Sequence, residues 1–335
     1  MNQSQPRSAR LSIVIPAVAD VAAMEDTLVS VLEHRPDGSE VVVALGCDYT
    51  DPWNIGSEVR LVRAPRGAGL VACTNIGVAA CTGGVIHVLA AGWRATADWT
   101  TGPCRLLRET DAAAVVPVAV AADDPSRRVP TAVRTSRGGR RLEATMGRLT
   151  ARDDSGNVPL PTGTAPVIET GFWRADHLDA LAGFTAACGD GLADADMAVT
   201  LAAVGGRVLL DTTSLVVAGS PRRREPSFLA GLHAERLFWR SLANGPILPG
   251  LVMHAVEVFR HAVSAAPLGS VPMLAGRLIG FLQFGTAVQR ARTLHDLAAA
   301  MAADREPPTV RLDAGHATLA GPHTGEQTVP LRRSA

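Results

Sequence analysis

Short aliphatic runs alternate with stretches of helical periodicity along residues 11–210. Leu11-Ser12-Ile13-Val14-Ile15-Pro16 is an apolar run stopped by proline, suited to a first strand buried in a parallel sheet. Residues 22–32 then place Met24, Leu28, Val31 and Leu32 on one helical face, before Pro36-Asp37-Gly38 breaks the pattern. Further strands are predicted at 40–45, 59–63, 85–89, 113–120 and 207–210, and helices at 69–80, 98–110, 175–181 and 193–204. This alternation implies an α/β fold, a doubly wound and mostly parallel sheet. Right-handed crossovers place the carboxyl ends of its strands on one edge, where ligands collect. The run from Val85 to Leu89 ends abruptly in Ala90-Ala91-Gly92, then Trp93-Arg94, so a ligand is expected at a place free of acidic residues.

Elsewhere the pattern changes character. Between residues 123 and 161 it dissolves into Arg, Gly, Asp and Pro, with Arg127, Arg128, Arg134, Arg137, Arg140, Arg141 and Arg148 among them. Two readings stand, a solvated loop or a mobile lid that meets an anion. Residues 227–302 are helical and markedly apolar, yet His254, Glu257, Arg260, His261, Arg277 and Gln283 interrupt every candidate for a bilayer span of about 20 residues. They form a helical extension, either packed on the main domain or lying at a membrane surface. The predicted organisation is a disordered N-terminus (1–10), an α/β domain (11–225), the extension (226–303) and a disordered tail (304–335).

Charge and cysteine usage narrow the partners. The chain carries 32 basic and 32 acidic residues, every basic one an arginine, so nucleic acid is not an expected partner. Five scattered cysteines without a C-x-x-C pair read as small buried hydrophobes of a reducing compartment. The polar first ten residues lack a secretory h-region, which predicts a cytoplasmic protein, free or peripheral at the inner face of the cell membrane.

Gly67-Ala68-Gly69-Leu70-Val71-Ala72 satisfies G-x-G-x-x-A between a strand and a helix, but it follows the third strand and no carboxylate stands in the later region 87–92. A dinucleotide site needs both the first β-α turn and that acid. Other fragments, taken in order, resemble a family. Ser12 to Pro16 is similar to an opening strand, and the run from Glu40 with Asp48-Tyr49-Thr50-Asp51 to a worn D-D-G-S-T-D strand end. Arg66 to Gly77 resembles the N-x-G-x-x-x-A-x-N-x-G helix start, and Val85 to Trp99 the D-x-D strand with its trailing D-W. Gly171 to Arg174, Leu181 to Phe184 and Gly191 to Leu201 resemble an acceptor segment and the E-D-x-D helix. Over residues 11–217 the chain resembles the family 2 glycosyltransferases of the GT-A, nucleotide-sugar-binding fold.

The resemblance implies transfer of a sugar from a nucleotide-sugar donor to a hydroxyl of a glycan or lipid-linked acceptor, with inversion. In the family a divalent metal on the D-x-D carboxylates takes up leaving-group charge, and a later carboxylate removes the acceptor proton. Here Ala90 and Gly92 occupy both acidic places, so no metal ligand is assigned and transfer without that metal is expected, with arginines such as Arg94 or those of 123–161 supplying charge. The base position survives as Asp194, preceded by Ala193; a helix N-cap explains it equally well. By the same resemblance Pro16, Ala17, Asp20, Asp48, Arg66, Asn75, Ala90 and Gly92 line the donor, with Cys47 competing for the place of Asp48. Gly171, Trp173 and Asp196 face the acceptor. Asn75 reads equally as a turn residue, His87 as a buried core histidine, and Trp93 as a sugar platform or a lid on the core edge. A catalytically idle relative, serving as a nucleotide-sugar-binding or partner subunit, is the alternative.

Overall fold

A computed structural model describes residues 8–144, 158–220 and 225–305. The expected disordered ends lie outside these residues except for 8–10 and 304–305, and so do Arg148 and the rest of 145–157.

Four aliphatic runs build the first half of the main sheet: β1 (Ser8–Ala17), β2 (Glu40–Leu45), β3 (Arg60–Arg63) and β4 (Gly83–Leu89). They pair in parallel in the order β3-β2-β1-β4, with Ile13 level with Val41 on one side and His87 on the other. Ile13, Val14, Ile15, Val42, Val43, Ile86 and Val88 are fully buried, as expected of strands covered on both faces. The covering helices are α1 (Val21–His34) and α2 (Leu70–Ala80). Beyond β4 come a short β5 (Arg94–Ala95), α3 (Thr101–Glu109) and β6 (Ala114–Ala121).

Residues 123–161 are not wholly irregular. They supply β7 (Arg128–Val129), β8 (Ala132–Thr135), β9 (Arg141–Ala144) and β10 (Val158–Pro159), and β8 and β9 join β11 (Thr164–Pro166) in a second, antiparallel sheet. This corrects the expectation of an unstructured loop for the described part of that stretch.

β12 (Thr170–Arg174) was not expected as a strand. It inserts antiparallel between β4 and β6, with Phe172 level with His87 and with Val115. The order β10-β13-β6-β12-β4-β1-β2-β3 is therefore mixed, and β13 (Val208–Ala218) runs parallel to β6. After α4 (Ala175–Ala180), α5 (Gly189–Ala203) begins four residues before the predicted start at 193, because Gly189, Gly191 and Asp190 conceal the helix in the sequence.

The extension is four helices, α6 (Ser227–Leu242), α7 (Ile247–Ala265), α8 (Ser270–Leu282) and α9 (Phe284–Arg305). Among the described residues no single helix is long and apolar enough to cross a membrane; α8 and α9 pass such a test only as a pair bent by 52°. α6 and α8 approach so closely that a Cβ on Gly231 would strike the Met273 carbonyl, and one on Gly276 the Phe228 carbonyl. Overpacking at such a contact typically costs about 1–3 kcal/mol. Gly231→Ala is therefore expected to lower the unfolding midpoint in urea, while Gly245→Ala, whose Cβ would enter open space, leaves it nearly unchanged.

Candidate functional site

The edge predicted to hold a donor is formed by the ends of β1, β2 and β4, and most of the residues assigned to it are held by backbone bonds. Pro16 accepts from the Ala91 N–H at 3.3 Å and Ala17 from the Gly46 N–H at 2.8 Å, while Asp20 caps α1 by accepting from the Ala23 N–H at 3.0 Å. Ala90 donates to the Glu169 carbonyl at 2.8 Å, and the Gly92 N–H meets both the Ala23 carbonyl at 3.0 Å and the Thr27 hydroxyl at 2.8 Å. Gly92 has φ +91°, a left-handed conformation that favours glycine. The turn is thus fastened to α1 and to the segment before β12, and it presents no carboxylate. Among the described residues no group of three or more His, Cys, Asp or Glu could hold a metal ion, and Ala90 and Gly92 stand at the two acidic places of the resembled D-x-D. Asp48 and Arg66 pair at 2.7 Å on the exposed rim, where an ion pair contributes little to stability.

Asn75 is committed elsewhere. Its amide donates to the Phe184 carbonyl at 2.7 Å and accepts from the Phe184 N–H at 2.8 Å, stapling α2 to the segment after α4. Gly69, before α2, offers no side-chain cap; the N–H groups of Leu70 and Val71 donate instead to Asp190 Oδ2 and Oδ1 at 2.8 and 3.0 Å. A carboxylate of the chain itself therefore occupies the helix end where a G-x-G-x-x-A motif would seat a pyrophosphate. Asp190 escaped the sequence reading because its partner lies about 120 residues away; its only signal was an acid in a glycine-rich helix start.

The residues expected on the acceptor side are buried. Trp173 is 1% exposed, edge-on to Phe184, and the Gly171 carbonyl accepts from His87 Nδ1 at 3.1 Å. Insertion of β12 into the sheet places both in the core. Asp196, also 1% exposed, is bound by Arg240 at 2.6 Å and Arg290 at 3.3 Å and anchors the extension. Trp93 is buried and covers the core edge.

Asp194 lies inside α5, whose N-cap is Cys188, so the N-cap reading is corrected. Its carboxylate is fully buried and held by a two-pronged guanidinium: Arg141 Nε reaches Oδ1 at 3.0 Å and Nη2 reaches Oδ2 at 2.9 Å. Arg141 also meets Glu143 at 3.3 Å. With Gly191 and Leu192 it lines a cavity of about 610 Å³ between the β8–β9 turn, the start of α5 and helices α6 to α8. An anion entering that cavity would compete with Asp194 for Arg141, because guanidinium binds carboxylate and phosphate by the same fork.

No protein-family model and no curated protein sequence matches the chain. Solved structures do resemble it. S. aureus TarS 1–349 aligns at TM-score 0.55 and 14% identity over 88% of each chain, and its complex with UDP at TM-score 0.53 and 14% identity over 88% of this chain and 87% of that one. GalNAc-T7 with UDP, GalNAc and Mn2+ aligns at TM-score 0.52 and 14% identity over 73% of this chain. The chain spans 55% of the GalNAc-T7 chain. The likeness shows the fold, which is of the nucleotide-sugar-transferase (GT-A) type.

Two outcomes follow from the buried charges. Removing one partner of a buried ion pair typically costs about 3–5 kcal/mol. Arg141→Met is expected to destabilise in that range in urea unfolding, and Asp194→Asn, which keeps the shape without the charge, by clearly less. His87 stacks on Phe172 at 3.8 Å, and burial pushes its imidazole from 6.5 down to about 3. The folded protein refuses a proton that the unfolded chain takes, so stability is complete above pH 6.5 and falls toward pH 3 by up to about 1.4 kcal/mol per pH unit. His87→Gln should flatten that part of the acid profile in unfolding midpoints measured from pH 7 to 4.

Proposed function

We propose that the protein is a family 2-like glycosyltransferase that moves a sugar from a nucleotide-sugar to a hydroxyl of a glycan or lipid-linked acceptor, with inversion and without a D-x-D-bound metal. The observation that carries this reading is the Arg141–Asp194 fork at the family's base position. Asp194 takes the proton of the acceptor hydroxyl as its oxygen bonds to the anomeric carbon. The bond from that carbon to the diphosphate oxygen breaks on the opposite side, and the electron pair leaves with the diphosphate. Arg141 supplies the positive charge that a metal provides elsewhere. In the resting pair it also occupies both oxygens of Asp194; a diphosphate that draws the guanidinium away frees the carboxylate. UDP in the TarS and GalNAc-T7 structures supports a nucleotide-sugar as donor.

A second reading, a nucleotide-sugar-binding or partner subunit, is favoured by Asp190 on the start of α2 and by the uncharged turn at Ala90 to Gly92. A panel of nucleotide-sugars incubated with the protein and chelator, with products detected by mass, separates the two. Turnover insensitive to chelator is expected, reduced about 10²–10⁴-fold by Asp194→Asn at a temperature where the variant remains folded. Donor binding without turnover would assign the binding role, and undiminished turnover by Asp194→Asn would remove Asp194 from the mechanism.

A further inference from the structure

The cavity beside Arg141 is walled on its far side by α7 and α8, and it is lined by Arg140, Arg141, Arg260 and Arg277 together with Glu225 and Glu257. Glu257 is shared by Arg140 at 3.3 Å and Arg260 at 2.6 Å. Arg277, 7% exposed, gives Nη1 to Glu235 at 2.9 Å and sets Nη2 against His261 Nδ1 at 3.0 Å, and its buried Nε has no hydrogen-bond partner. A buried guanidinium N–H without an acceptor is costly, and a phosphate oxygen is the acceptor it fits best. Burial, and then the Arg277 and Arg260 charges, push the His261 imidazole below its ordinary value.

The other face of the same two helices is apolar and uncovered. Leu248, Val252, Val256, Phe259 and Val263 form a stripe at helical spacing on α7, all exposed. Val271, Leu274, Leu278 and Leu282 do the same on α8. Across both helices the Asp, Glu, Lys and Arg residues are Glu257, Arg260 and Arg277; the first and last are buried, leaving Arg260 as the exposed charge, at the cavity. Two exposed apolar stripes with no exposed carboxylate, on the helices that also wall an arginine-lined cavity, complement an anionic lipid surface: acyl chains against the stripes, a phosphate in the cavity.

We propose that α7 and α8 dock the protein on a membrane and that the α7–α8 side of the cavity, at Arg260 and Arg277 rather than at Arg141, takes the phosphate head of an anionic lipid. The inference requires neither donor nor transfer, so its failure leaves the transferase reading standing. The full chain is sedimented with vesicles of phosphatidylcholine alone or of phosphatidylcholine with phosphatidic acid, and titrated calorimetrically with inorganic phosphate. Binding to the phosphatidic acid vesicles is expected, with little to phosphatidylcholine. Arg260→Ala should weaken it about fivefold, and the exposed double change Phe259→Ser with Val263→Ser should abolish it at unchanged melting temperature. Equal binding to both vesicles would overturn the phosphate pocket. Binding of inorganic phosphate without vesicle binding would assign the cavity to a free phosphate and overturn the lipid. A concentration-dependent dimer broken by Phe259→Ser, with no vesicle binding, would give the face to a second copy and overturn the docking.

Discussion

Three carboxylates of α5 hold the architecture together, and each is bound to a different part of the chain. Asp190 receives the first N–H groups of α2, Asp194 receives Arg141 of β9, and Asp196 receives Arg240 of α6 and Arg290 of α9. Charge inside a protein is tolerated only when paired, so these contacts fix where the parallel half-sheet, the second sheet and the extension meet α5. The Arg141–Asp194 fork and the cavity it borders exist because that helix is gripped from three sides.

The same arrangement decides how charge can be handled. In the resembled family, negative charge at the end of β4 holds a metal and the metal holds phosphate. Here the end of β4 is Ala90-Ala91-Gly92, knitted by backbone bonds to α1. Positive charge is instead built in as guanidinium, from β9 and from the extension. A guanidinium stays charged across the physiological range and needs no ligand set, but it must be balanced when no phosphate is present. Asp194, Glu235 and Glu257 balance it, which makes the carboxylate proposed as base also the resting partner of a cation.

The parallel strands were legible in the sequence because β1, β2, β4 and β6 are buried on both faces and read as unbroken aliphatic runs. β12 was not, since five residues beginning Thr170-Gly171 carry no periodicity, and only the gap between β4 and β6 gives them a place. Asp194 was found through the order of motifs, whereas its partner was one arginine among several in a stretch without pattern; the 53 residues between them carry no local signal. Asp196, Asn75 and Trp173 were placed at a ligand by resemblance and are taken by packing, because long-range pairing decides which polar groups remain available.

The extension shows how two features of a helix answer different questions. Charges at Glu257, Arg260 and Arg277 interrupt its apolar runs more often than a bilayer crossing allows, which argues against a span. The interval between charges does not say which face they occupy. Glu257, Arg277 and His261 turn inward to the cavity, His254 turns to Glu235, and Leu248, Val252, Val256, Phe259 and Val263 turn outward as an exposed stripe. A soluble helix reverses this, with its charges in water and its apolar stripe in the core. α7 and α8 bury Glu257 and Arg277 in a paired network and leave leucine, valine and phenylalanine uncovered, so the charges that interrupt each helix as a span also leave it an apolar surface.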